Sequence, residues 1–359
     1  MFIVDAHEDI AYNALHHDRD VRRSVTQQRA LEAAARQDGH DAEARPGAGT
    51  SAQALTGMRD SVMIGLPELR RGGVGLVCST VFCMPEEQEA MTADGWAQLR
   101  YYQALGAEPD GVRMIASRAD LDALTRDYIA APTPDARPVG FLPLMESADP
   151  IRDPADLEQW YAAGLRIIGP TWRGSRYCGG TGHPGGFTDL GWALLAEMER
   201  LGMILDLSHM ADDAVWQALE RYGGPIIASH TNCRVYLPTD RHFTDDQIRA
   251  AAERDVVIGV VLHNGFLVAG WRPEQGPVGI DAVIRHLDHV RELTGDARHS
   301  GIGSDFDGGA GSESTPAPFD TVADLAALAD GLRTHDYSEA DIIGIMGDNF
   351  VRTFQRALP

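Results

Sequence analysis

Met203-Ile-Leu-Asp-Leu-Ser-His209, the amphipathic stretch 212–222, and Pro225-Ile-Ile-Ala-Ser-His230 follow one another directly. Each outer piece is a short apolar run closing on Ser-His, and the piece between has helical spacing of its apolar residues. The same unit extends in both directions. Strand-like runs occur at Phe2–His7, Gly75–Phe82, Val139–Glu146, Arg166–Thr171, Met203–His209, Pro225–His230, Val256–His263 and Gly301–Asp305. Amphipathic stretches separate them, among them 190–201, 245–254, 280–293 and 321–332. Strand, helix, strand repeated in this order implies a parallel sheet with helices outside. Eight strands is the count of a (β/α)8 TIM barrel, whose active sites are built at the C-terminal strand ends.

The bulk properties agree with that fold and narrow the function. At 359 residues with 44% hydrophobic content, length alone admits two domains, but barrels of this kind routinely reach such a size as one unit. The expectation is a single barrel domain over 1–359. One polar excursion interrupts it at about 24–56, expected as a helix followed by a mobile loop (Asp38–Ser51) rather than a lid, and a proline-rich connector lies at 131–137. The formal charge of −22 repels phosphate backbones and anionic membranes, and no basic run compensates it. Nucleic acid and membrane partners are therefore not expected. No signal-peptide pattern opens the chain, no lipid-anchor tail closes it, and four cysteines without paired Cys-x-x-Cys spacing form no disulfide framework. A cytoplasmic location follows as the expectation, with Cys78 a buried thiol.

The chemistry lies at the ends of the runs. His7 and Asp9 close the first strand, where alternation sends residues i and i+2 to one face and Glu8 away from it. Glu146 ends the apolar Gly140-Phe-Leu-Pro-Leu-Met-Glu146. A carboxylate so placed is costly to bury unless paired or metal-bound, and both a salt bridge and a ligand satisfy that condition. His209 and His230 end consecutive strands, and imidazole is the commonest neutral ligand for zinc. Asp305 and Asp307 lie in Gly301-Ile-Gly-Ser-Asp-Phe-Asp-Gly-Gly309, whose glycines allow close backbone approach. Asp305 is the inward choice, and Asp307 is read as a turn residue or a group supporting the ligands, with an Asx-turn before Gly308 the favoured reading. Three histidines and three carboxylates suit two adjacent divalent ions, with a carboxylate and an acidified water bridging them. An unligated aspartate, Asp305, would move the water's proton.

At these residues the chain resembles the membrane (renal) dipeptidase family, peptidase family M19, of the amidohydrolase-type metallo-hydrolases. The resemblance is carried by Asp5-Ala-His-Glu-Asp9, Leu66-Pro-Glu-Leu-Arg-Arg-Gly-Gly-Val-Gly75, Asp206-Leu-Ser-His209, Ser229-His230, His286-Leu-Asp-His289, Gly303-Ser-Asp-Phe-Asp-Gly308 and Gly347-Asp-Asn-Phe350, all in the family's order. It implies a zinc-dependent dipeptidase with two zinc ions, His7 and Asp9 on one, His209 and His230 on the other, and Glu146 bridging. Asp305 would shuttle the proton of a metal-bridging hydroxide, and Arg241 would engage the substrate carboxylate. For Arg241 a solvent-exposed salt bridge before the next helix is an equal alternative. A small dipeptide-like molecule is the implied partner, with a homodimer as the suggested assembly.

One departure stands out. Gly164-Leu-Arg-Ile-Ile-Gly-Pro-Thr-Trp172 places Trp172 where the family carries a carbonyl-polarising histidine. Indole donates one hydrogen bond and carries no positive charge. Arg173, Arg176, His242 and His263 are the candidate replacements, with His263 and Trp172 counted among the substrate-binding residues. The same departure keeps two alternatives open. One is a binuclear hydrolase of another small amide, such as an N-acyl amino acid; the other is a metal-containing binding protein impaired in catalysis.

Overall fold

All eight runs form strands of one barrel in a computed structural model that describes residues 1–37, 61–109 and 111–359. The strands are β1 (Ile3–Glu8), β2 (Val74–Phe82), β3 (Gly140–Glu146), β4 (Ile167–Gly169), β5 (Ile204–Asp206), β6 (Ile226–Ile227), β7 (Ile258–Val260) and β8 (Ser300–Ile302). Neighbours pair in parallel in the order β7-β8-β1-β2-β3-β4-β5-β6. A parallel bridge between Ala228 and Ile258 joins β6 to β7 and closes the ring. A short strand, Arg113–Met114, adds to the edge of β3.

Period-two alternation decides what fills the barrel. Val4, Ala6, Leu76, Cys78, Leu142, Leu144, Ile167, Ile204, Ile227 and Val257 form one buried cluster with Phe350 and Phe354 of the final helix, Asn349–Ala357. The alternate residues, among them Val77, Phe141, Met145, Ile168 and Leu205, belong to the larger core shared with the surrounding helices. Those helices carry the termination signals expected of them. Thr188 caps Asp189–Leu201 by accepting from the Gly191 N–H, and Gly202 ends it in the left-handed conformation at φ 68°. Thr244 and Gln247 form a capping box on Asp245–Glu253. The stretch expected as one helix at 321–332 begins instead as a 3-10 turn, Val322–Ala326, before Ala327–Thr334.

Several strands end earlier than their apolar runs suggest, and the backbone shows why. His209, Asp305 and Asp307 have φ of 66°, 60° and 58°, the left-handed region that L-residues other than Asn and Asp seldom enter. The chain leaves the sheet before these residues and brings the side chains of His209 and Asp305 to the mouth. Two glycines permit the close approach beneath: a Cβ on Gly259 or Gly303 would lie 1.9 or 1.8 Å from the Ser229 carbonyl oxygen.

Of the polar excursion, the first part is the helix Val25–Gln37. It is tied down by Gln28 donating to the Ile64 carbonyl at 2.8 Å and by an Arg29–Asp320 ion pair at 3.0 Å. The loop expected at Asp38–Ser51 lies outside the described residues. All four cysteines are buried and unpaired.

Asp307 corrects the expected Asx-turn. Its carboxylate is buried and accepts from the backbone N–H groups of Met63 and Ile64 at 3.0 and 3.1 Å, with Arg19 at 3.7 Å. It therefore clamps the 62–64 segment onto the end of β8. Asp307→Ala leaves two buried donors unpaired and is expected to cost about 2–4 kcal/mol of unfolding free energy. The check is the urea midpoint, and an unchanged midpoint rejects the clamp.

Candidate metal centre

Glu146 is the hub of a buried cluster at the C-terminal mouth of the barrel. Leu142 and Leu144 face the interior, so Glu146, two residues on, faces the same way at the rim. Its two oxygens serve different histidines. Oε2 lies 3.5 Å from His7 Nε2, while Oε1 lies 3.1 Å from His209 Nε2 and 3.3 Å from His230 Nε2. Three sets of ligand atoms each fall within 4.8 Å: His7, Asp9 and Glu146; Glu146, His209 and His230; and His7, His230 and Asp305. All six candidate residues from the sequence thus converge, although they come from β1, β3, β5, β6 and β8 or the turns that follow.

The donor set fits divalent cations. The Nε2 atoms of His209 and His230 face each other at 3.0 Å, and each ring's Nδ1 is engaged by a hydroxyl, Thr181 at 3.1 Å and Ser229 at 2.7 Å. Burial, with Arg241 acting in the same direction, lowers His209 to about 4, and burial, then His7 and Arg241, lower His230 well below its ordinary value, so both rings are neutral. Two neutral rings whose Nδ1 atoms donate to these hydroxyls present two lone pairs to one space, which a cation between them satisfies. His7 differs. Burial opposes its charge, but Glu146, Asp9 and Asp305 outweigh burial and raise it to about 10. A cation bound at His7 would displace that proton, the ordinary coupling of metal affinity to pH. Asp9 is raised to about 6 by burial and by Glu146, and it accepts a short hydrogen bond from Thr80 Oγ1. Burial also raises Asp305 well above the carboxylate range.

The layer beneath was not legible in the sequence. The Ser229 hydroxyl sits among Asp206, His7 and His230, and the Ser229 and Ser208 N–H groups both donate to Asp206 Oδ1. Such partners set imidazole orientation and basicity at metal centres. A polar Asp206 inside an apolar run was the available signal. Thr181 carried none, because it belongs to a hairpin (Cys178–Gly180 with His183–Phe187) absent from the periodicity reading.

Glu8, between His7 and Asp9, gives no ligand atom to these sets, and it does not face solvent. The register of β1 against β2 slips between Asp5 and Glu8, and Glu8 is fully buried. Burial and the adjacent Asp5 raise its carboxyl well above the usual range.

Arg241 is 5% exposed, which removes the surface salt-bridge reading. Among the described residues none hydrogen-bonds its Nε, Nη1 or Nη2. Its guanidinium carbon lies 5.5 Å from the Phe266 ring, and its charge acts on Asp305 and Glu146. Buried donors left unpaired cost about 1–3 kcal/mol each, so such a group is suited to receiving an anion. His263 stands near it, lowered to about 4 by burial and Arg241, with Nδ1 accepting from the Gly265 N–H.

Trp172 reaches the cluster, its ring centroid 6.3 Å from that of His209. Arg176 does not: its Nη2 is used by the carbonyls of Ile151 and Arg152. Arg173 is exposed and lies 5.3 Å from the Trp172 ring. His242 is buried against Phe266, at 5.5 Å between ring centroids, and is lowered to about 2, chiefly by burial. Of the candidate replacements, only the exposed Arg173 stands at Trp172.

Comparison with known proteins follows the same lines. The family model described as membrane dipeptidase (peptidase family M19) matches residues 1–358. A Klebsiella pneumoniae protein, described only as an uncharacterised protein in the pqqA 5' region, is 30% identical over 271 residues, 72% of this chain and 94% of that protein. Two solved structures share the fold at 22% identity. One, described as the dipeptidase AC, a metallo peptidase of family M19, has a TM-score of 0.77 over 100% of this chain and 99% of its own. The other is a metallo peptidase from Rhodobacter sphaeroides, liganded with a phosphinate mimic of the dipeptide L-Ala-D-Ala, with a TM-score of 0.76 over 99% of each chain.

Proposed function

Since the chain belongs to the membrane dipeptidase family, peptidase family M19, and is by that membership a metallo-dipeptidase, we propose that it hydrolyses dipeptides with two zinc ions held by His7, Asp9, Glu146, His209 and His230. The observation that carries this reading is the division of the Glu146 carboxylate, one oxygen toward His7 and the other toward His209 and His230. Ions so held supply Lewis acidity toward the scissile carbonyl and acidify a water. The remaining steps belong to the chain. Arg241 receives the substrate's free carboxylate through its unpaired guanidinium nitrogens, which sets which amide bond lies over the cluster. With cations beside it favouring its ionised form, Asp305 would take the proton of the attacking water and pass it to the departing amine. Ser229 and Thr181 hold the imidazoles in the orientation that keeps each Nε2 directed inward.

The zinc-loaded protein is expected to release amino acids from L-L or L-D dipeptides. Stripping the metal with a chelator, confirmed by elemental analysis, should abolish release, and added zinc should restore it. Release that persists in metal-free protein would reject the metal mechanism. Trp172 favours a second reading, hydrolysis of an N-acyl amino acid, because its uncharged ring stands near the cluster. Turnover of acylated but not free-amino substrates distinguishes the two. Among the described residues no helix is long and apolar enough to cross a membrane.

A further inference from the structure

An aromatic row runs outward from the metal centre. Trp172 meets Phe82 edge-on, with centroids 5.1 Å apart at 76°, and Phe82 meets Tyr12 at 5.3 Å and 68°. Phe82 is the last residue of β2 and pairs in register with Glu146, so it stands level with the carboxylate hub. Leu76 and Cys78 face the barrel interior, which puts Thr80 and Phe82 on the inner face as well. The hydrogen bond from Thr80 to Asp9 agrees.

Ring order fixes what faces this row. In the closed order of eight strands, β2 lies opposite β6, and β4 lies opposite β8. Phe82 ends β2, and Tyr12 and Trp172 follow β1 and β4; Arg241 and Asp305 follow β6 and β8. Arg241 therefore follows the strand across the ring from Phe82, and Trp172, in edge contact with Phe82, extends that aromatic side to His209. A dipeptide whose carboxylate is bound at Arg241, and whose amide lies over the cluster, has its amino-terminal residue on the aromatic side.

We propose that Trp172, Phe82 and Tyr12 form the pocket for the amino-terminal side chain, and that the preferred substrates carry a large apolar or aromatic residue there. This rests on the dipeptidase reading above. Trp172 presents a broad, half-buried ring beside His209, with Phe82 packed edge-on against it. Aromatic contacts contribute beyond simple burial, and the expected preference for a phenylalanyl over an alanyl amino-terminal residue is about tenfold.

The test compares kcat/KM for phenylalanyl-alanine and alanyl-alanine in the zinc-loaded protein, alongside the calorimetric Kd of phosphinate dipeptide mimics bearing a benzyl or a methyl group at the same position. The phenylalanyl substrate and the benzyl mimic should be favoured, with the difference in KM and Kd rather than kcat. Trp172→Ala should bring both ratios close to one, and Trp172→Phe should keep most of the preference. Ratios unchanged in Trp172→Ala, or a fall in kcat common to both substrates, would overturn the pocket. Absence of release from every dipeptide by protein shown to hold its metal overturns the dipeptidase reading instead, and the benzyl-to-methyl Kd ratio then decides the pocket by itself. N-acetylated phenylalanyl substrates turned over in preference to free amines would assign the wall to an acyl group, and would overturn the amino-terminal assignment.

Discussion

Glu146→Gln is expected to lose bound metal and to lower kcat/KM more than about a thousandfold, since even residues that merely support metal ligands commonly cost ten- to a hundredfold. The substitution preserves shape and removes one negative charge. Glu146 presents Oε1 to two histidines and Oε2 to a third, whereas glutamine has one acceptor oxygen and one NH2 group. The NH2 donates, so one side of the cluster would face a donor where it requires a ligand. The charge matters as well. His7 owes its raised proton affinity, against the opposing effect of burial, chiefly to Glu146, so the variant should also bind metal with a weaker dependence on pH. Elemental analysis together with initial rates provides the check. Two equivalents of metal and undiminished turnover in Glu146→Gln would sink the shared-carboxylate centre.

Arg241→Met should be the second largest effect, and its form matters more than its size. Methionine fills much of the volume without charge. For dipeptides with a free carboxylate, kcat/KM is expected to fall by a factor of about 10² to 10³, the worth of a truncated buried charge contact at about 3–4 kcal/mol. For the same dipeptides amidated at the C-terminus, the wild-type protein should be slow and the variant hardly slower. That double comparison isolates the carboxylate contact from general damage to the site. Equal losses on acid and amide would mean that Arg241 acts through the fields of Asp305 and Glu146 instead of touching substrate.

Both predictions concern residues legible in the sequence, yet to different depths. Glu146 could be singled out because a carboxylate at the end of six otherwise apolar or glycine positions is anomalous on local grounds. Arg241 could be named only by resemblance. Its burial, and its lack of hydrogen-bond partners among the described residues, depend on the packing of the barrel mouth, Phe266 included. Asp307 went the other way: its local context, Asp-Gly, suggested a turn, and a contact with residues 63 and 64 decided otherwise.

The number and order of the barrel strands, several of the helices between them and the residues at the strand ends were legible in the sequence alone. Periods of two and 3.6 are set by neighbours a few positions away, and eight repetitions of one unit admit a closed parallel ring. Only the tertiary structure decided which side chains meet across that ring. The register slip after Asp5, the left-handed turns at His209 and Asp305, the hydroxyls of Thr181 and Ser229 on the imidazoles, and the placing of Arg241 and Phe82 on opposite strands of the ring all follow from closure. Closure brings residues hundreds of positions apart within a few ångströms, and local periodicity contains no record of such distances.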